Sequence, residues 1–107
     1  MNTSTNKAAN KPATDPFEKL VFEEGIRIKD LRFYPEMDLM AVIFNNKTIL
    51  KFNISDYPKL KNASDEDRNH WELENNGIAV TWETLDEDLS AVGFLKESTL
   101  QNFALGE

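Results

Sequence analysis

A chain of 107 residues, 40% hydrophobic and 29% charged, has room for one domain and one modest core. Its formal net charge of -7, from 12 basic and 19 acidic side chains, lacks the clustered cations that neutralise phosphates, which disfavours direct nucleic-acid binding and anionic membrane surfaces. The absence of cysteine rules out disulfides and thiolate chemistry, and no apolar run approaches the roughly 20 residues that span a bilayer, so a cytoplasmic location is expected.

Residues 1–16, rich in Asn, Thr, Ala, Lys and Pro, bury too little apolar surface to offset ordering and read as a disordered leader. A single domain is expected over 17–97. Leu20-Val21-Phe22, then Ile26, Ile28, Leu31 and Phe33, predict one or two strand segments on either side of Gly25. The clearest signal is Asp38 to Phe52. Leu39 to Phe44 is β-prone, Asn45-Asn46 suits a two-residue type I′ turn, and Thr48, Leu50 and Phe52 share one face of the returning strand.

Tyr57 precedes Pro58 and is thereby pushed away from helical angles. Ser64 followed by Asp65-Glu66-Asp67 is an N-cap with acids in the first turn, which predicts a short helix over about residues 64–72. Trp71 to Glu74, a break at Asn75-Asn76-Gly77, and Ile78 to Trp82 predict a second hairpin, with Ile78, Val80 and Trp82 on one side. Asp86 to Ser90 reads as a cap before a helical turn from Ala91 to Lys96, and residues 98–107 as a frayed tail. The fold class is therefore α+β: a small antiparallel sheet of two hairpins plus an N-terminal strand, with one or two short helices.

Several of these residues recur together in a known pattern. Asp56-Tyr57-Pro58-Lys59-Leu60, then Ala63, Arg68 and Trp71, then Gly77 to Trp82, then Leu85-Asp86-Glu87-Asp88-Leu89-Ser90 and Phe94-Leu95 resemble a bacterial family known as domain of unknown function 2442. The resemblance covers about residues 25–96, and the Leu-Asp-Glu-Asp-Leu-Ser run after a tryptophan is its most specific part. Lys59 stands where Arg is usual, Thr81 where His is usual and Glu83 where Pro is usual; Asn45-Asn46 stands where Asp-Gly is usual. The resemblance implies a small α+β domain with antiparallel strands and no established activity. Some relatives look like parts of toxin–antitoxin-type gene pairs, and some are fused to a helix-turn-helix that this chain lacks.

Three groupings deserve a chemical reading. Glu83, Asp86, Glu87 and Asp88 place four acids in six residues, a composition that hard cations favour, but without the spacing of an EF-hand loop. The simpler reading is a cap at Asp88, a solvated charge or two, and an Arg68 contact to Asp86 or Asp88 that staples the short helix to this loop. His70, the one histidine, has Glu66 and Glu74 four residues to either side, one face if a helix reaches that far. Trp71 and Trp82, with Tyr57 and Phe94, are expected to be core aromatics rather than the lining of a ligand groove.

The expected function is a protein-interaction module, antitoxin-like or accessory, with another protein as partner and no cofactor. Its candidate interaction or structural motif is Tyr57, Pro58, Arg68, Trp71, Trp82, Asp86, Glu87 and Asp88. The alternatives are a small metal-dependent enzyme using the 83–88 loop with His70, and a structural homo-oligomeric subunit. Oligomeric state is left open.

Overall fold

The computed structural model describes residues 15–104, so the leader expected over 1–16 lies almost wholly outside the described residues. The Asp15 carboxylate accepts hydrogen bonds from the N–H groups of Phe17 and Glu18, and Pro16 occupies the first helical position. Helix α1 (Pro16–Glu18) thus starts here and widens into a π-helical turn, Lys19–Glu23. This corrects the strand expected at Leu20 to Phe22. The cap sets the first turn, and the Ile26 N–H to Leu20 carbonyl bond closes the last, with the Arg27 guanidinium held by the carbonyls of Val21 and Ile26.

Strands β1 (Ile28–Tyr34), β2 (Leu39–Phe44) and β3 (Ile49–Asn53) form the first antiparallel sheet, in that order, with a bulge in β1 between Ile28 and Asp30. The β2–β3 hairpin is as expected, but its turn is not type I′. Only Lys47 takes a positive φ (73°); the Phe44 carbonyl accepts from Lys47, and its N–H donates to Thr48. The loop is therefore three residues long, a tight turn closed by one left-handed residue. Both asparagine side chains are otherwise engaged. Asn45 bonds the Arg27 N–H and the Gly25 carbonyl, and Asn46 accepts from the Thr48 N–H.

A 3-10 turn (Ile54–Asp56) leads to Tyr57, extended at φ -125°, and Pro58 opens helix α2 (Pro58–Lys61). Helix α3 (Asp65–Arg68) is capped as expected, the Ser64 hydroxyl accepting from the Asp67 N–H at 3.1 Å. It stops at Arg68 rather than near 72, because Asn69 turns its amide back onto the Asp65 carbonyl and the chain is drawn into strand pairing.

The second antiparallel sheet is β4 (Glu72–Glu74), β5 (Ala79–Trp82) and β6 (Glu87–Ser90). Strand β6 takes up most of the segment, Asp86 to Ser90, expected only to cap the last helix. Leu89 faces Val80 across the ladder, and Leu73 completes the row on the other side. The two sheets share a connection: a 3-10 turn followed by a left-handed aspartate, Pro35–Met37 then Asp38 (φ 53°) before β2, and Glu83–Leu85 then Asp86 (φ 52°) before β6. Ser90, not Asp88, caps helix α4 (Ala91–Ala104), accepting from the Gly93 N–H at 2.9 Å. The helix continues past Lys96 and through most of the stretch expected to fray; residues 105–107 lie outside the described residues.

The sheets are joined by backbone. The Ile28 N–H donates to the Gly77 carbonyl and the Ala91 N–H to that of Ile78, both at 2.8 Å. Between them lie Val21, Ile28, Met40, Val42, Phe44, Leu60, Val80, Trp82 and Phe94, all essentially without exposure. Phe33 of the first sheet meets Trp82 of the second edge-on, ring centroids 6.5 Å apart. The fold is α+β, and no helix among the described residues is long and apolar enough to cross a membrane.

Candidate functional site

The motif residues from Tyr57 to Trp82 mostly build structure. Arg68 is buried, and its guanidinium satisfies the carbonyls of Leu60 (2.9 Å) and Ala63 (2.7 Å) and one carboxylate oxygen of Asp65 (2.6 Å). The Arg68–Asp86 or Arg68–Asp88 contact expected from the sequence is not formed. The guanidinium is already filled by its own α2–α3 corner. The link to the acidic loop comes instead from Lys59, whose Nζ donates to the Asp86 carbonyl at 2.6 Å.

Trp82 is fully buried and donates to the Arg68 carbonyl at 2.8 Å, while Trp71 packs half-buried against the core. Pro58 is exposed at the head of α2. Tyr57 stands edge-on to Phe52 and Phe94 and lines a small hollow of about 150 Å³ with Leu89, Ser90, Gly93, Phe94 and Glu97. Burial, reinforced by Glu97, Asp56 and Glu87, pushes its phenol up to about 12.

Asp86, Glu87 and Asp88 of the acidic loop part company. Asp86 sits in the left-handed turn, Glu87 pairs across from Trp82, and Asp88 is exposed opposite Thr81 on the other face of the sheet. Alternation along a strand sends consecutive side chains to opposite faces, so Glu87 and Asp88 cannot converge. Among the described residues no three His, Cys, Asp or Glu side chains form a group able to hold a metal ion.

The larger cavity lies elsewhere. An open groove of about 390 Å³ is lined by His70, Glu72, Glu74, Thr81, Glu83 and Thr84. Glu72 and Glu74 stand on one face of β4 because they are two positions apart, and Thr81 of β5 lies directly across from Glu72. Thr81 donates its hydroxyl to Glu74 at 2.6 Å. Of the residues singled out in the sequence, only His70, Glu74 and Glu83 meet here, and Glu74 arrives along a strand rather than on a helix face with His70. Glu72 and Thr84 were not singled out, and Thr81 was noted only as a departure from the family pattern, not as a site residue. Their signal was the alternation Glu72-Leu73-Glu74 opposite a strand whose inward residues are Val80 and Trp82.

The comparisons agree on kinship. A family model described as "Protein of unknown function (DUF2442)" matches residues 28–99. A solution structure of an uncharacterized protein from Chromobacterium violaceum is 28% identical with a TM-score of 0.65, the match covering 90% of this chain and 85% of that one. A crystal structure of a protein of unknown function from Rhodospirillum rubrum is also 28% identical, with a TM-score of 0.58 and coverage of 67% and 87%. No curated protein matches the chain. With the family model spanning most of the described residues, the chain belongs to the DUF2442 family of proteins of unknown function.

Proposed function

We propose that this protein is an interaction module whose acidic groove on the second sheet receives a basic segment of a partner protein. The observation that carries the reading is the gathering of Glu72, Glu74 and Glu83 with His70 around one open groove. That groove belongs to a stretch, residues 69–95, with six carboxylates and no Lys or Arg. Single exposed ion pairs are weak, but several carboxylates without local counter-charge create a field that steers a cationic partner and fixes its register. An antitoxin-like or accessory role in the cytoplasm is the form of this reading that the family resemblance and the composition support.

Calorimetric titration with a synthetic Lys/Arg octapeptide tests it. Three exposed pairs at roughly 0.5 kcal/mol each correspond to about a tenfold loss of affinity in the Glu72→Gln, Glu74→Gln, Glu83→Gln triple variant, and added salt should weaken the wild type similarly. A peptide that does not bind, or that binds the triple variant equally well, removes the groove as the site.

A further inference from the structure

Strand β2 reads Leu39-Met40-Ala41-Val42-Ile43-Phe44, apolar at every position. An antiparallel sheet with one wet face alternates apolar and polar side chains, and a strand apolar on both sides belongs to a sheet covered on both. Met40, Val42 and Phe44 enter the core, whereas Leu39 and Ile43 are half-buried and Ala41, though buried, does not join the core cluster. Leu39, Ala41 and Ile43 lie on the opposite face of the first sheet.

The register completes that face. Arg32, Ala41 and Lys51 stand in one row across the three strands, with Tyr34, Leu39 and Asn53 in the row at one end and Asp30, Ile43 and Ile49 in the row at the other. The smallest side chain, buried, thus lies between two long cationic ones, with half-buried Leu39 and Ile43 on either side of it along the strand. Tyr34 and Ile49 are 40% and 57% exposed. Asp30 grips Arg32 at 2.8 Å, so the charged residues in register on this face, Arg32 and Lys51 against Asp30, leave it net positive, opposite in sign to the second sheet.

Charge selects the occupant. A second copy laid face to face would set Arg32 and Lys51 against their own kind. Residues 1–14 of this chain bring two lysines and no acid. Three strands at about 4.8 Å spacing place the outer two about 10 Å apart, close to the diameter of one helix. We propose that the outer face of the first sheet docks an amphipathic helix of a partner protein whose apolar stripe is flanked by carboxylates. This uses the other sheet and the opposite charge from the acidic groove, so it stands or falls separately.

Fluorescence anisotropy with a labelled Ala-rich helical peptide, Leu at every third and fourth position flanked by Glu, tests the proposal against the same peptide with Lys for Glu. The Glu peptide should bind the full chain at least about tenfold more tightly than the Lys peptide. The Ile49→Glu, Lys51→Glu double variant should lose at least about tenfold of that affinity, while Glu72→Lys on the other sheet leaves it unchanged. Both substituted side chains are exposed, and circular dichroism would verify the fold. Absence of Glu-peptide binding, equal binding of both peptides, or indifference to the double variant overturns the proposal. So does a dimer in light scattering that the double variant dissociates, since the face would then belong to a second copy.

Discussion

The indole N–H of Trp82 donates to the backbone carbonyl of Arg68, and the guanidinium of the same Arg68 donates back to the carbonyls of Leu60 and Ala63. One arginine thereby ties the end of α3, the end of α2 and the centre of the second sheet into a single buried knot. The knot accounts for the joint occurrence of Leu60, Arg68 and Trp82 without any reactive chemistry.

Removing one partner strands the others, so the knot should be sensitive to truncation. Arg68→Met leaves two carbonyls without their donors and should cost about 2–4 kcal/mol in urea denaturation. Asp65→Asn removes only an exposed carboxylate from the same guanidinium and should cost less than about 1 kcal/mol. Equal losses from the two would show that Arg68 acts through its ion pair instead.

Gly77 should be nearly irreplaceable. Its φ of 99° is left-handed, and a Cβ there would sit 2.3 Å from the Ile28 carbonyl oxygen, at the joint between the sheets. Gly77→Ala should therefore cost well over the about 1–2 kcal/mol of left-handed strain alone, because backbone rather than side chain must move. Gly25→Ala, also at positive φ but in open space, should cost only about 1–2 kcal/mol. Thermal denaturation of the two variants makes the comparison.

Tyr57 should make the protein alkali-labile in a defined window. Its folded-state phenol titrates near 12, above the ordinary 10.0, so its contribution is complete below pH 10 and is lost as pH rises toward 12, where only the unfolded chain has already ionised. Ultraviolet titration of the native protein should show Tyr57 ionising late, and Tyr57→Phe should flatten stability between pH 10 and 12.

The terminal clamp should fail in acid. Lys96 bonds the Asp15 carboxylate at 2.9 Å and holds it below its ordinary value of 3.8 against the opposing desolvation, with the N–H groups of Phe17 and Glu18 adding to the effect. A depressed carboxylate stabilises the fold above its unfolded value and loses that contribution as pH falls through the folded one. Amide exchange in α1 should therefore rise below about pH 4, and Lys96→Met should raise it already at neutral pH.

Periodicity and caps carried much of this fold. Leu50 and Phe52 on one face of β3, the Ser64 cap, the Tyr57-Pro58 break, and the shared face of Val80 and Trp82 are all local consequences of side-chain spacing, visible in one dimension. So was the family, through the run from Leu85 to Ser90. Other features belonged to the tertiary structure. Residues Glu87 to Ser90 look like a solvated acidic loop until Val80 offers Leu89 a partner, and Leu20 to Phe22 look extended until the carbonyls of the turn are claimed. Arg68 had several acids within reach along the chain, and which groups it would hold depended on where two helical corners met. The groove of Glu72, Glu74 and Glu83 likewise exists only once two strands are in register. Spacing along the chain fixes which way a side chain points, but what it meets is decided by segments distant in sequence, whose approach is governed by burial and backbone pairing across the whole domain.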